Sequence, residues 1–114
     1  MNDTDASILE KFRSLLLKRV RVDKIILFGS RARGDAQTDS DMDLLLILRD
    51  PPTEEIQDYI HDCAWEAGID HSLVVVPIVY SRQEWEEGPE QSSLLALAVQ
   101  RDGISVYESR TQGI

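Results

Sequence analysis

This sequence predicts a single-domain α/β (α+β) fold, and three observations carry that expectation. Its 114 residues suffice for one compact core and not for two. Short β-type apolar runs interleave with stretches of helical periodicity in the order α-β-α-β-α-β-α-α-β. Two of the runs, 44–48 and 73–80, are apolar at consecutive positions, the pattern of strands buried on both faces. So short a chain has few helices to cover both faces. A partner chain covering one of them is therefore expected, in a homo- or hetero-oligomer.

The elements follow in order. Ile8, Leu9, Phe12, Leu15, Leu16 and Val20 recur at helical spacing, which predicts a helix over roughly 4–20. Asp3, Thr4, Asp5 and Ser7 offer caps and acidic first-turn residues, and Lys18, Arg19 and Arg21 gather at the far end, as the helix dipole favours. Lys24 to Phe28 is a short strand stopped by Gly29. Ser30 is expected to cap a helical turn, Arg31 to Arg33, which Gly34 ends. Asp35 to Ser40 is polar loop, and Asp41 to Leu48 a strand closed by Asp50-Pro51-Pro52. Thr53 starts a helix whose apolar side is Ile56, Tyr59, Ile60, Cys63 and Ala67, with Gly68 at its end. Ser72 to Tyr80 is a valine-rich strand, and Pro77 within it predicts an edge or a bulge, since proline cannot donate to a ladder. Ser81 and Glu84 fit a capping box. Ser92 or Ser93 caps a last helix through Leu94, Leu95, Leu97, Ala98 and Val99, and Gly103 ends it. Ile104 to Tyr107 reads as a final strand. The domain is expected to span residues 1–107, with 108–114 a flexible tail.

Composition narrows the function. A net charge of −9 argues against non-specific nucleic-acid binding, which needs a basic surface to displace counterions. It allows a nucleotide, because a metal ion can bring a triphosphate to an acidic site. Cys63 has no second cysteine to pair with and is expected as a buried thiol. The polar, acidic start is unlike a signal peptide, and no apolar run could span a bilayer. No membrane association and a cytoplasmic location are expected. His61 and His71 are too isolated to form a metal site with Cys63. Trp65 and Trp85 are expected to pack, with an interface the alternative for Trp85 beside Glu84, Glu86 and Glu87, and the acidic run 84–90 is expected to form a solvated helix face.

The chemistry concentrates in residues 29–43. Asp41 and Asp43, two apart on a strand, leave the same face and can converge on hard cations. Gly29 lets the backbone turn sharply and approach a ligand closely. Ser30 presents a hydroxyl and a backbone N–H to an anion. Arg31 and Arg33 can neutralise phosphate oxygens, or equally form salt bridges to Asp35 or Asp39. Two rival motifs fail. Gly29 and Gly34 have P-loop spacing, yet Asp35 and Ala36 stand where Lys and Ser/Thr are required. Asp39, Asp41 and Asp43 start like an EF-hand, but its sixth position is Leu44 and its twelfth Asp50.

The pattern Gly29-Ser30-x10-Asp41-x-Asp43, followed by the apolar strand, resembles the signature of the DNA polymerase β-type nucleotidyltransferase superfamily. The size and the Arg-x-Arg-Gly insert resemble its minimal nucleotidyltransferases, the type found as antitoxins beside HEPN-domain toxins in prokaryotes. The likeness in element order covers roughly residues 5–107, including the ending Val99 to Tyr107. It implies a palm-like mixed β-sheet and transfer of a nucleoside monophosphate, AMP above others, from ATP or another NTP to a hydroxyl. Asp41 and Asp43 would hold Mg²⁺, two ions in this family, while Gly29 and Ser30 would hold the β- and γ-phosphates. Arg31 and Arg33 would contact phosphate or partner. A third carboxylate from a later strand completes the family's metal site. Ser72 to Tyr80 contains no acid, so Asp70 is the candidate, ahead of Asp62 and Glu66.

Three functions fit this resemblance. The first is an enzyme that adenylylates a HEPN-domain partner, as the antitoxin of a toxin–antitoxin pair. The second is a decayed member that neutralises such a partner by contact alone. The third is a small-molecule nucleotidyltransferase, a type that usually carries a further helical domain for its acceptor.

Overall fold

The computed structural model describes residues 2–34, 41–89 and 93–109. Nine elements follow one another: α1 (Asp3–Leu16), β1 (Val22–Phe28), α2 (Ser30–Arg33), β2 (Met42–Leu48), α3 (Glu54–Ile69), β3 (Val75–Ser81), α4 (Arg82–Glu87), α5 (Leu94–Asp102) and β4 (Ile104–Glu108). This is the order the sequence predicts. The strands form one mixed sheet, β3-β2-β1-β4, in which β1 runs antiparallel to β2 and β4 while β2 and β3 are parallel.

Strand β2 is central, and its alternate residues enter two separate cores. Met42, Leu44, Leu46 and Leu48 pack with Ile25 and Leu27 of β1 under α1 and α3, where Ile8, Phe12, Leu16, Ile60 and Cys63 cover them. Leu45 and Ile47 point the other way, joining Phe28 beneath Leu95, Ala98 and Val99 of α5 and Trp85 of α4. Continuous apolarity in β2 thus reflects burial on both faces. The same expectation for 73–80 does not hold. The inner residues of β3 are only half-buried, because it is an edge strand with no neighbour beyond it. The Val74 carbonyl accepts from the Met42 N–H at 2.9 Å, so by alternation Pro77 turns its missing N–H outward, where no ladder bond is lost.

Side chains fix the helix starts. Thr53 Oγ1 accepts from Ile56 N–H at 3.1 Å, and Ser93 Oγ from Ala96 N–H at 3.2 Å. Ser81 and Glu84 form a reciprocal capping box, at 3.1 and 3.0 Å. Three local expectations need correction. Helix α1 begins early enough for Asn2 to cap it, its Oδ1 accepting from Asp5 N–H at 2.8 Å. Ser30 lies inside α2 rather than capping it, with Gly29 at the cap position. Trp65 does not pack: it is 67% exposed, because the buried side of α3 is set by Ile60, Cys63, Ala64 and Ala67.

Cys63 is buried, and burial raises its thiol pKa. Strand β4 extends to Glu108, which ion-pairs with Lys24 at 3.7 Å, and Ser109 is buried. Residues 110–114 of the expected tail, the loop 35–40, Glu90 and Ser92 lie outside the described residues. Among the described residues no helix is long and apolar enough to cross a membrane.

Candidate functional site

Strand pairing assembles one end of the sheet from four chain segments. Phe28, the last residue of β1, lies opposite Asp43 near the start of β2. The turn that leaves β1 is therefore brought beside the paired aspartates. Gly29 adopts φ +80° and ψ −158°, a region essentially reserved for glycine. A Cβ added there would stand 2.7 Å from Asp43 Oδ2. The glycine of the expected phosphate turn and a carboxylate of the expected metal site thus touch, and only the absent side chain makes room.

Helix α2 is held from two sides. Arg31 is buried, and its Nη1 donates to Asp5 Oδ1 of α1 at 2.7 Å, a pair in which both side chains are nearly removed from solvent. Arg33 is half-exposed and donates to Asp102 Oδ2 at the end of α5, 3.2 Å away. Asp102 also receives Arg101 Nη2 at 3.1 Å, and the two guanidinium groups, Arg101 first, hold its carboxyl below the usual carboxylate range. Both arginines foreseen at the phosphate turn therefore hold acids at opposite ends of the chain. Asp35 and Asp39, the alternative partners weighed above, lie outside the described residues.

Asp41 is exposed and Asp43 half-buried. Among the described residues no Lys, Arg or His pairs with either, so two adjacent negative charges stand uncompensated. Burial first, and Asp41 second, raise the Asp43 pKa above its ordinary value. A hard-oxygen pair in this state fits a divalent cation. A raised folded-state pKa means that the native chain holds this proton more tightly than the unfolded chain does. Ionised Asp43 therefore costs stability at neutral pH, and the cost is relieved as pH falls through its raised pKa. Without added divalent cation, Asp43→Asn should melt above the parent at pH 7, and the gap should close in acid. A variant that melts lower at pH 7 overturns this account of Asp43.

Asp70 is not brought to the pair. Strand β3 starts only at Val75, so Asp70 falls at the C-terminal cap of α3, 75% exposed at its side chain and 3.5 Å from Lys11 Nζ. Beside the aspartates, β3 offers Val76, in register with Asp43, and Val74, bonded to Met42. Among the described residues no group of three or more His, Cys, Asp or Glu could hold a metal ion. Asp5 and Asp102 join the sequence-predicted residues as the acids that hold the turn. Asp5 carried one signal, an acid on the apolar side of an amphipathic helix, one turn before Ile8 and Leu9.

A family model described as "Nucleotidyltransferase domain" matches residues 8–100. The chain belongs to this family, and it is a nucleotidyltransferase. It is 33% identical over 78 residues to the Putative protein adenylyltransferase MJ0141 of Methanocaldococcus jannaschii, across 66% of this chain and 78% of that protein. Among solved structures, a toxin–antitoxin crystal structure with AMP-PNP superposes with a TM-score of 0.61 at 18% identity, covering 90% of this chain and 74% of that chain. A complex of tri-AMPylated Shewanella oneidensis HEPN toxin with MNT antitoxin gives 0.55 at 16% identity, covering 90% and 71%. At these identities the likeness is one of fold, and it bears out the single-domain α+β architecture with a mixed sheet.

Proposed function

We propose that this chain transfers AMP from ATP to a hydroxyl of a partner protein, and that the partner is a HEPN-domain toxin for which it is the antitoxin. The observation that carries the reading is the contact between Gly29 and Asp43, which joins a phosphate turn to a carboxylate pair. The relative named as a protein adenylyltransferase supports AMP and a protein acceptor. The toxin–antitoxin complexes that share the fold support the partner.

In this reading Asp41 and Asp43 hold Mg²⁺, which when bound supplies charge neutralisation at the triphosphate. Gly29 lets the backbone close on the β- and γ-phosphates, and Ser30 donates its hydroxyl to them. Arg31 and Arg33 act at one remove, fixing α2 between α1 and α5 so that the turn keeps its distance from Asp43. The acceptor oxygen bonds to the α-phosphorus, the bond to the β-phosphate bridging oxygen breaks, and pyrophosphate leaves. The acceptor proton passes to solvent.

A second reading is favoured by one observation, the distance of Asp70 from the aspartate pair. With two carboxylates in place of three, the chain would neutralise its partner by contact alone. Incubation with Mg²⁺, labelled ATP and the purified product of the neighbouring gene separates the two. Label on the partner that falls to background in Asp41→Ala/Asp43→Ala is the expected result. Unchanged labelling in that double variant sinks the metal-site assignment. A tight complex with no label, whichever triphosphate is supplied, establishes the contact-only reading.

A further inference from the structure

An unexplained apolar feature of the surface lies on α3 and the β3 edge. Trp65 is 67% exposed, Ile69 44% and Val74 59%, and all three line one groove of about 410 Å³, with Pro77 at its side. Large apolar side chains gathered this way mark an interaction site more often than chance exposure does. Trp65 and Ile69 stand one helical turn apart, so they present one continuous ridge. On the side of that ridge away from the groove, outside its lining, Asp58, Asp62 and Glu66, all exposed, form a parallel acidic stripe at the same helical spacing.

We infer that this groove docks a basic partner protein, one that places an apolar side chain against Trp65 between flanking Lys or Arg residues. Charge decides the occupant. A second copy of this chain would bring the same acidic stripe, and a net charge of −9, against itself. A basic surface satisfies the stripe while its apolar contact covers the tryptophan. Pro77 removes a donor from the free edge, so docking proceeds through side chains rather than by adding a strand to the sheet. Val74 ties the groove to the site: its carbonyl binds the N–H of Met42, next to Asp41. A partner seated there stands at the end of the sheet that carries Gly29, Asp41 and Asp43. The inference rests on the proposed protein acceptor, and it specifies where that acceptor is held.

The test measures binding and labelling separately, with the purified product of the neighbouring gene as the probe. Titration by calorimetry in 50 mM and 500 mM NaCl, with Trp65→Glu and Val74→Asp beside the parent, is decisive. Both variants should raise Kd at least about 30-fold, the scale of a central aromatic anchor. Asp62→Asn/Glu66→Gln should make parent-like binding less sensitive to salt. In the labelling assay Trp65→Glu should raise KM for the partner and leave kcat unchanged. Parent-level affinity in both variants overturns the docking site, as does failure of the parent to bind the probe. Salt-independent binding overturns the basic partner. A parent that doubles in mass on its own, with Trp65→Glu restoring the monomer, assigns the groove to a second copy instead. Trp65-dependent binding without any label keeps the docking site and removes only the adenylyl-transfer reading.

Discussion

Gly29→Ala should abolish most nucleotidyl transfer, lowering kcat/KM on the order of 100-fold. Two effects combine at this residue. Its φ of +80° with ψ of −158° costs a residue bearing a Cβ about 1–3 kcal/mol. The new methyl would also lie 2.7 Å from Asp43 Oδ2, so the carboxylate or the turn has to move. Gly34 supplies the control. It has a similar φ, +84°, but a Cβ added there meets no atom of the described residues within 4 Å. Gly34→Ala should lose roughly 1–2 kcal/mol of stability and keep its activity. Steady-state labelling and urea unfolding on both variants check this. Equal loss of activity in the two would show that backbone conformation matters and contact with Asp43 does not.

Asp5→Ala should lower the unfolding free energy by about 3 kcal/mol, the low end for breaking a buried ion pair. Asp5 and Arg31 are 3% and 6% exposed, so removing the carboxylate leaves a guanidinium with little access to water. The low end applies because Arg31 has a further interaction. Removing both charges, in Asp5→Ala/Arg31→Met, should recover much of the loss, since an apolar pair carries no desolvation penalty. Urea denaturation at pH 7 decides the matter. A loss under 1 kcal/mol for Asp5→Ala would show that the pair does not anchor α2. The double variant should still have a raised KM for ATP, because α2 is then no longer tied to α1.

Much of this was legible in the chain. Among the described residues the nine elements appear in the expected order, Thr53 and Ser81 cap as read, and Ser93 is the one of two candidate serines that caps α5, because these are interactions within a few residues. The closeness of Gly29 to Asp43 was legible because it is local: a turn and a strand start are joined by one antiparallel pairing. What escaped depends on distant segments. Asp5 and Asp102, which bind Arg31 and Arg33, lie 26 and 69 residues from them, and no spacing rule reaches so far. Trp65 was assigned to packing by its size, yet its angle around α3 turns it outward. Asp70 was placed by proximity to a strand that begins later than its valines imply.

Pro77 has a consequence for the life of the free chain. An unbroken sheet edge is exposed to other copies of the same chain and is a template for stacking into fibres. Here the outward side of β3 lacks a donor at Pro77, so no incoming strand completes a ladder along it. The free chain can accumulate without polymerising through that edge, and the apolar groove beside it stays uncovered by a second sheet.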